Sequence, residues 1–121
     1  MPRILVVDDE IALCELLMEL LGRWGYIGEY ATDAGEAIHI LGTKPCDLAI
    51  IDLMMPGMKG DELAPHIKKR NPNIPVVMIS AFPPLELPAV DEIHSKPISP
   101  QKLRQIIQKW LDPQQSKCEA A

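Results

Sequence analysis

Four polar residues directly follow three short apolar stretches of the sequence, namely Asp8, Asp9, Asp52 and Ser80, and Lys96 ends a fourth, less apolar stretch. Most of these stretches have the composition of strands buried in a parallel sheet, and in an open α/β sheet ligands bind outside the carboxyl ends of the strands. We therefore expect the three acids, the hydroxyl and the amine to converge on one edge of a sheet, although they are scattered along the chain.

These residue types suit the transfer of a phosphoryl group. Closely packed carboxylates repel one another, which raises their pKa values unless a cation joins them. Oxygen ligands without His or Cys favour Mg²⁺, and a carboxylate beside such a metal can act as a nucleophile and form an acyl phosphate. Lys96 and the Ser80 hydroxyl could hold the other phosphoryl oxygens, because this chemistry depends mainly on positioning and charge stabilisation.

Hydrophobic patterning predicts strands that alternate with helices. Three apolar runs do not alternate with polar residues and are therefore predicted to be strands buried on both faces: 4–7, 48–51 and 76–79. Weaker strands are predicted at 26–31 and 91–94. Helical spacing predicts four helices, from Ile11 to Leu21, from a Thr32 or Asp33 cap to Leu41, from Gly60 to Arg70, and from a Ser99 cap through Pro100 to Leu111. This alternation implies an α/β fold with a mostly parallel sheet.

The stretch between the last two predicted strands breaks this alternation. Residues 81–90 contain Pro83, Pro84 and Pro88, and a proline inside a helix costs about 3 kcal/mol. We expect a loop with at most one helical turn, so that the helix between strands 4 and 5 is shortened or missing.

Length and composition fit one globular domain. The sequence has 121 residues, 47% hydrophobic residues and a net charge of −5, and this negative charge argues against a nucleic-acid partner. No apolar run approaches the ~18 residues of a membrane span, and three cysteines without metal-ligand spacing indicate a reducing, cytoplasmic setting. We expect a domain over residues 1–112 and a disordered tail over residues 113–121.

Four motifs, each behind a predicted strand, make the sequence resemble the CheY-like receiver domain of bacterial two-component response regulators. They are Val6–Glu10, Asp52–Gly60, Ser80–Ala81 and Lys96–Pro97. The second fits the family's D-x-x-M-P-x-x-x-G pattern at every specified position, and the resemblance covers about residues 3 to 111. It implies a flavodoxin-like, doubly wound, five-stranded parallel sheet in the order 2-1-3-4-5.

The resemblance also implies a role for each acid. Asp52 would be phosphorylated by a histidine kinase or a histidine phosphotransfer protein. Asp9 and Asp52 would bind Mg²⁺ directly, the backbone carbonyl of Met54 would be a third ligand, and Asp8 would act mostly through a coordinated water.

At the other end of the site, Ser80 occupies the position of the family's switch residue and Lys96 that of its phosphate-binding lysine. The resemblance further implies a cis Lys96–Pro97 bond. The sequence departs from the family at Ile93, where receivers usually carry Tyr or Phe, so we expect intact phosphorylation chemistry but altered signal transmission.

Simpler interpretations exist for several of these residues. Asp9 could be a helix N-cap, Ser80 could only cap a loop, and Lys96 could be a solvated surface lysine. In the first helix Leu13, Leu16 and Leu20 form a second apolar stripe, which either packs against the last helix or docks a kinase or phosphotransferase helix.

The leading functional hypothesis is a stand-alone phospho-acceptor that signals by docking to a downstream protein or by phosphorelay. It would not be an enzyme beyond phosphorylating itself from a donor and slowly losing the phosphoryl group, and weak homodimerisation is a further expectation. The alternative is a pseudo-receiver, a protein-binding module without a working phospho-switch. A phosphatase of the haloacid-dehalogenase type is disfavoured, because Met54 stands where that class requires a second Asp.

Overall fold

The computed structural model describes residues 1–55 and 57–111. Strands and helices alternate in the order β1 (Arg3–Val7), α1 (Ile11–Arg23), β2 (Ile27–Ala31), α2 (Ala34–Thr43), β3 (Leu48–Ile51), α3 (Gly60–Arg70), β4 (Val76–Ser80), β5 (Glu92–Ser95) and α4 (Pro100–Leu111). Every predicted strand and helix is present. The tail predicted at 113–121 lies outside the described residues, and the domain boundary at 112 stays a prediction. None of the helices in the described ranges is long and apolar enough to cross a bilayer.

The five strands form one parallel sheet in the order β2-β1-β3-β4-β5. This order confirms the flavodoxin-like fold class that the resemblance implied. All four residues of β3 and all five of β4 are buried, because helices or chain segments cover both faces of the central strands. Burial on both faces is the reason why these strands show no polar alternation in the sequence.

Successive side chains of the central strands enter two separate hydrophobic clusters, one on each face of the sheet. On one face Val7, Ile51 and Met78 pack with residues of α2 and α3. On the other face Val6 and Ile50 pack with residues of α1 and α4. The central strands of the sheet are therefore enclosed between two layers, whereas the edge strands β2 and β5 are mostly only partly buried.

Two helices begin at the side-chain caps that the sequence predicted. The Asp33 carboxylate accepts a hydrogen bond from the Glu36 backbone N–H at 2.8 Å, which decides between Thr32 and Asp33. The Ser99 hydroxyl accepts from the Lys102 backbone N–H at 3.0 Å. Such caps satisfy N–H groups that have no partner inside the first turn.

Residues 81–91, called the 81–91 segment below, connect β4 to β5. Within the described chain this connection contains turns and bends but no helix, which confirms the prediction from its prolines. Leu87, Ala89 and Val90 pack against the α2–α3 face of the core. The segment thus covers part of the sheet face that a helix would otherwise cover.

Asp91 fixes the far end of the 81–91 segment. Its backbone N–H donates to the Val76 carbonyl at 2.8 Å, and its Oδ2 accepts from the Val76 N–H at 2.8 Å. Lys68 Nζ lies 2.7 Å from the same carboxylate oxygen and donates to the Ile74 carbonyl at 2.8 Å. The end of the segment is therefore held to both β4 and α3.

Candidate functional site

Three carboxylates meet where β1 and β3 end. The Asp8 N–H donates to the Ala31 carbonyl at 3.0 Å and the Asp52 N–H donates to the Val7 carbonyl at 2.9 Å, so the hydrogen bonding of the sheet extends to both residues. Oxygens of Asp8, Asp9 and Asp52 all lie within 4.8 Å of one another. Asp8 and Asp52 are buried, whereas Asp9 is exposed. The sheet thus brings together the acids that the sequence singled out.

Lys96 reaches these acids from the end of β5. Its Nζ lies 2.8 Å from Asp8 Oδ2 and 3.7 Å from Asp52 Oδ2. Its backbone N–H donates to the Ser80 carbonyl at 2.8 Å, and the Lys96–Pro97 bond is cis, as the resemblance implied. Lys96 is therefore not a solvated surface lysine.

The pKa values of this site follow from burial and from opposite charges. Burial raises the pKa of Asp52, the nearby Lys96 lowers it and the Asp8 charge raises it again, and the net result is a raised pKa. For Lys96, burial lowers the pKa, but the hydrogen bond and charge of Asp8 together with the charge of Asp52 give a raised pKa. The ammonium is thus held charged between two carboxylates, and a further cation would relieve the remaining repulsion among the acids.

The alternative interpretation of Asp9 as a helix cap does not describe this structure. The residue before α1 is Glu10, which makes no side-chain cap hydrogen bond. Asp8 Oδ1 instead accepts from the Glu10 N–H at 3.0 Å. The Asp9 carboxylate instead lies in the cluster with Asp8 and Asp52, where it could bind a metal ion.

Ser80 is fully buried at the end of β4. Its Oγ accepts a hydrogen bond from the Phe82 backbone N–H at 3.2 Å, so the loop-capping contact of the simpler interpretation is present. The hydroxyl proton remains available as a donor. Capping and phosphoryl binding are thus not mutually exclusive roles for this residue.

Gly60 also belongs to the site, and the sequence did not reveal why a glycine is required at this position. A Cβ at this position would stand 2.2 Å from the Asp52 carbonyl oxygen and 3.0 Å from the Cα of Leu53. The Gly60 N–H also donates to the Leu53 carbonyl at 2.9 Å. The final G of the D-x-x-M-P-x-x-x-G pattern was the signal, and the physical cause is that α3 begins against the backbone of Asp52.

A hydrophobic groove of about 470 Å³ opens beside the acids, between α1 and the start of α4. Its lining includes Leu13, Leu16, Leu17, Leu20, Ile98, Pro100 and Leu103, together with Asp52 and Lys96. Leu13 and Leu20 pack partly against the α1–α4 side of the core, but Leu16 remains 51% exposed. The second apolar stripe of α1 is therefore only partly used for packing against the core.

The donor chemistry of the cluster fits Mg²⁺. The group of Asp8, Asp9 and Asp52 offers carboxylate oxygens and contains no His or Cys, which matches the preference of this hard cation for a few oxygen ligands. The protein and a bound cation together would compensate the charge of a phosphoryl group, which the three acids and one lysine alone would repel.

A parallel sheet in the order 2-1-3-4-5, with three aspartates and a lysine at its carboxyl edge, defines the class of CheY-like signalling domains. Residues 4–108 match the family model described as the response regulator receiver domain. The chain therefore belongs to the response regulator receiver family of two-component signalling.

Individual relatives agree with this assignment. The chain is 38% identical over 92 residues to transcriptional regulatory protein ZraR of Klebsiella oxytoca, an alignment that covers 76% of the chain and 20% of ZraR. It spans less than half of the length of the curated relatives that it matches. A CheY-like receiver domain of Methanospirillum hungatei has a TM-score of 0.88 and 30% identity, with 97% of this chain and 98% of that chain covered.

A further structural relative is response regulator TrrA of Thermotoga maritima, solved in complex with Mg²⁺–BeF. It has a TM-score of 0.84 and 35% identity, with 92% of this chain and 100% of that chain covered. TrrA has also been solved in complex with the histidine kinase ThkA.

Proposed function

We propose that Asp52 accepts a phosphoryl group in a Mg²⁺-dependent reaction and that the phosphorylated domain then signals by protein docking or phosphorelay. The observation that carries this proposal is the convergence of three carboxylates within 4.8 Å with the Lys96 amine 3.7 Å from Asp52. Lys96 is only partly exposed and is directed at two buried acids, which a solvated surface lysine would not be.

In the proposed step, a carboxylate oxygen of Asp52 attacks phosphorus in a phosphohistidine of the donor protein. The new P–O bond forms as the P–N bond breaks, and the leaving imidazole nitrogen takes the electron pair and then a proton from solvent. Lys96 holds an oxygen of the transferred group, and the Ser80 hydroxyl donates to another. Asp9, Asp52 and the backbone carbonyl of Met54 would hold Mg²⁺, Asp8 would act through a coordinated water, and the bound ion would neutralise charge on the transferred group.

We propose a histidine kinase or a histidine phosphotransfer protein as the phosphodonor. The complex of TrrA with ThkA supports this choice by similarity. Several finer expectations stay predictions: stand-alone action, weak homodimerisation, no direct nucleic-acid or membrane partner, no enzymatic activity beyond self-phosphorylation and slow dephosphorylation, and a cytoplasmic location.

The pseudo-receiver alternative has a specific observation in its favour. Ile93 replaces the usual aromatic and packs, partly buried, against the α2–α3 face of the core. The ordinary coupling between a hydroxyl and an aromatic ring therefore cannot operate here. If this alternative holds, phosphorylation leaves the region around β4 and β5 unchanged.

Intact-mass spectrometry after incubation with acetyl phosphate and Mg²⁺ tests the proposal. Wild type is expected to gain one phosphoryl group, and Asp52→Asn none. An Asp33→Asn variant is a matched control, because Asp33 only caps α2, and it should gain the group as wild type does. Absence of a gain in wild type, with Mg²⁺ binding shown separately by titration, would contradict the proposal and favour the pseudo-receiver.

A further inference from the structure

Two apolar side chains of the 81–91 segment project into solvent. Phe82 is 84% exposed and Leu85 is 102% exposed, more than any other large apolar side chain of the described chain. Single exposed apolar residues are common on protein surfaces and need no explanation. These two lie within one short stretch, and together they form a small apolar surface that nothing in the described residues covers.

Two prolines restrict the backbone between these side chains. Pro83 and Pro84 follow Phe82 directly; each ring fixes its own φ angle, and each proline also keeps the residue before it in the extended or polyproline II region. Residues 83–86 make no backbone hydrogen bond within the described chain, and a solvated backbone is typical of polyproline II. The chain bends at Phe82 and at Leu85, so the prolines form a short, stiff stretch between the two exposed side chains.

Burial along the segment separates a packed side from a free side. Pro84 and Leu87 are partly buried, and Leu87 packs against the α2–α3 face of the core. The other residues of 82–88 are exposed. The burial therefore repeats every three residues, which is the period of a polyproline II helix. The packed side seats the segment on the core and leaves Phe82 and Leu85, three residues apart, on the free side.

The chemistry of this stretch fits a groove lined by aromatic side chains. Proline-rich segments bind such grooves because their backbone is already ordered and loses little entropy. Their free carbonyls can accept hydrogen bonds from the N–H of Trp or the O–H of Tyr. Glu86 is exposed directly after Leu85, and the chain carries a net charge of −5. A complementary groove therefore has a basic residue at its rim.

A second copy of this chain does not offer such a groove. The sequence contains two Trp, two Tyr and one Phe. Trp24, Tyr26, Tyr30 and Trp110 all pack, partly buried, against the α1–α4 face of the core, and Phe82 belongs to the exposed stretch itself. Two copies would also bring together like net charges. The occupant that fits is therefore a different protein.

We propose that residues 82–88, called the docking ridge below, bind another protein through a groove lined by Trp or Tyr and rimmed by a basic residue. Phe82 and Leu85 insert into the groove, and Pro83 and Pro84 hold the spacing between them. This binding does not require a phosphoryl group on Asp52, so it is independent of the proposed phosphoryl transfer.

NMR titration of the full, unphosphorylated chain tests this proposal. The ¹⁵N-labelled protein is titrated with isolated SH3, WW and EVH1 domains, which bind proline-rich segments through aromatic grooves, each chosen with a basic residue beside its groove. At least one domain should shift the amide signals of Phe82, Leu85, Glu86 and Leu87 saturably at concentrations up to about 1 mM. Absence of a saturable shift with all three domains overturns the proposal, and so does a shift confined to α1 and α4.

Variants separate the docking ridge from general stickiness. Phe82→Ala combined with Leu85→Ala should weaken binding at least about tenfold, because both groups that enter the groove are lost. Pro83→Ala combined with Pro84→Ala should weaken it about tenfold, because the free segment becomes flexible. Ile11→Ala removes an apolar side chain that is 54% exposed outside the ridge, and this matched control should bind as wild type does.

Two results with these variants contradict the proposal. If the Phe82→Ala, Leu85→Ala variant binds as tightly as wild type, the ridge is not the binding surface. If the signals of the ridge shift with protein concentration in the absence of any added domain, and this shift is lost in the same variant, then a second copy is the occupant and the assignment to a different protein is wrong.

Discussion

Gly60 provides the sharpest test of how the fold positions Asp52. In Gly60→Ala the new Cβ would stand 2.2 Å from the Asp52 carbonyl oxygen, so the two groups must separate by about 1 Å to reach an ordinary contact. The Asp52 backbone cannot yield without disturbing its 2.9 Å hydrogen bond to Val7. The start of α3 cannot yield without disturbing the Gly60–Leu53 bond.

The displacement gives two expected magnitudes. A misplacement of about 1 Å at a reacting group costs on the order of 10²-fold in rate, so phosphorylation by acetyl phosphate should slow by about that factor. Overpacking of this kind also lowers the free energy of unfolding by about 1–3 kcal/mol. The assay is the rate of mass gain at saturating Mg²⁺, corrected for the folded fraction from urea unfolding.

Gly22→Ala is the matched control for this experiment. Gly22 lies inside α1, and a Cβ there would meet nothing within 4 Å. This variant should phosphorylate as wild type does and gain up to about 1 kcal/mol in stability from its helix propensity. A phosphorylation rate of Gly60→Ala within about twofold of wild type would refute the claim that this close contact sets the position of Asp52.

Three further predictions concern separate parts of the molecule. Met54 is 52% exposed beside Asp52, and its apolar side chain should slow the access of water to the phosphorylated site. Met54→Asn should therefore lose its phosphoryl group about tenfold faster than wild type, as measured by intact mass. An equal or longer lifetime of the phosphorylated variant would contradict this. Burial and the Asp8 charge raise the pKa of the Cys14 thiol to about 11. In a variant that carries Cys46→Ser and Cys118→Ser, the Cys14 thiol of the folded protein should react with a disulfide reagent at pH 8 at least about 100-fold more slowly than that of the protein unfolded in urea. Burial raises the pKa of Glu92, but hydrogen bonds from His94 and Lys109 outweigh this effect and lower the pKa below 4.5. Urea unfolding should therefore show that wild type is more stable than Glu92→Gln at neutral pH. The difference should shrink as the pH falls below 4.5 and vanish below the lowered pKa.

The sequence predicted the fold well because its strongest signals come from burial on both sheet faces. The runs at 48–51 and 76–79 correspond to β3 and β4, whose residues are all buried. The edge strands β2 and β5 gave weaker signals, since most of their side chains are only partly buried. The absence of a helix between β4 and β5 was predictable, because the prolines that prevent it lie within that same stretch of sequence.

The site was predictable in its membership but not in its contacts. Parallel strands with polar residues at their ends place Asp8, Asp52 and Lys96 together by topology alone. Lys96 approaches Asp8 more closely than Asp52, although Asp8 is 88 residues away along the chain. This preference depends on side-chain packing, which the sequence pattern does not specify. The close contact at Gly60 likewise depends on where α3 meets the backbone, which no local pattern specifies.

The prolines of the 81–91 segment also bear on how the protein avoids aggregation. The segment adjoins β5, an edge strand of the sheet, and it exposes Phe82 and Leu85 to solvent. Exposed apolar chain next to an edge strand is a template for pairing with other molecules. Pro83, Pro84 and Pro88 have no N–H to donate to such a ladder, so the residues that exclude a helix here also act as gatekeepers against intermolecular β-structure.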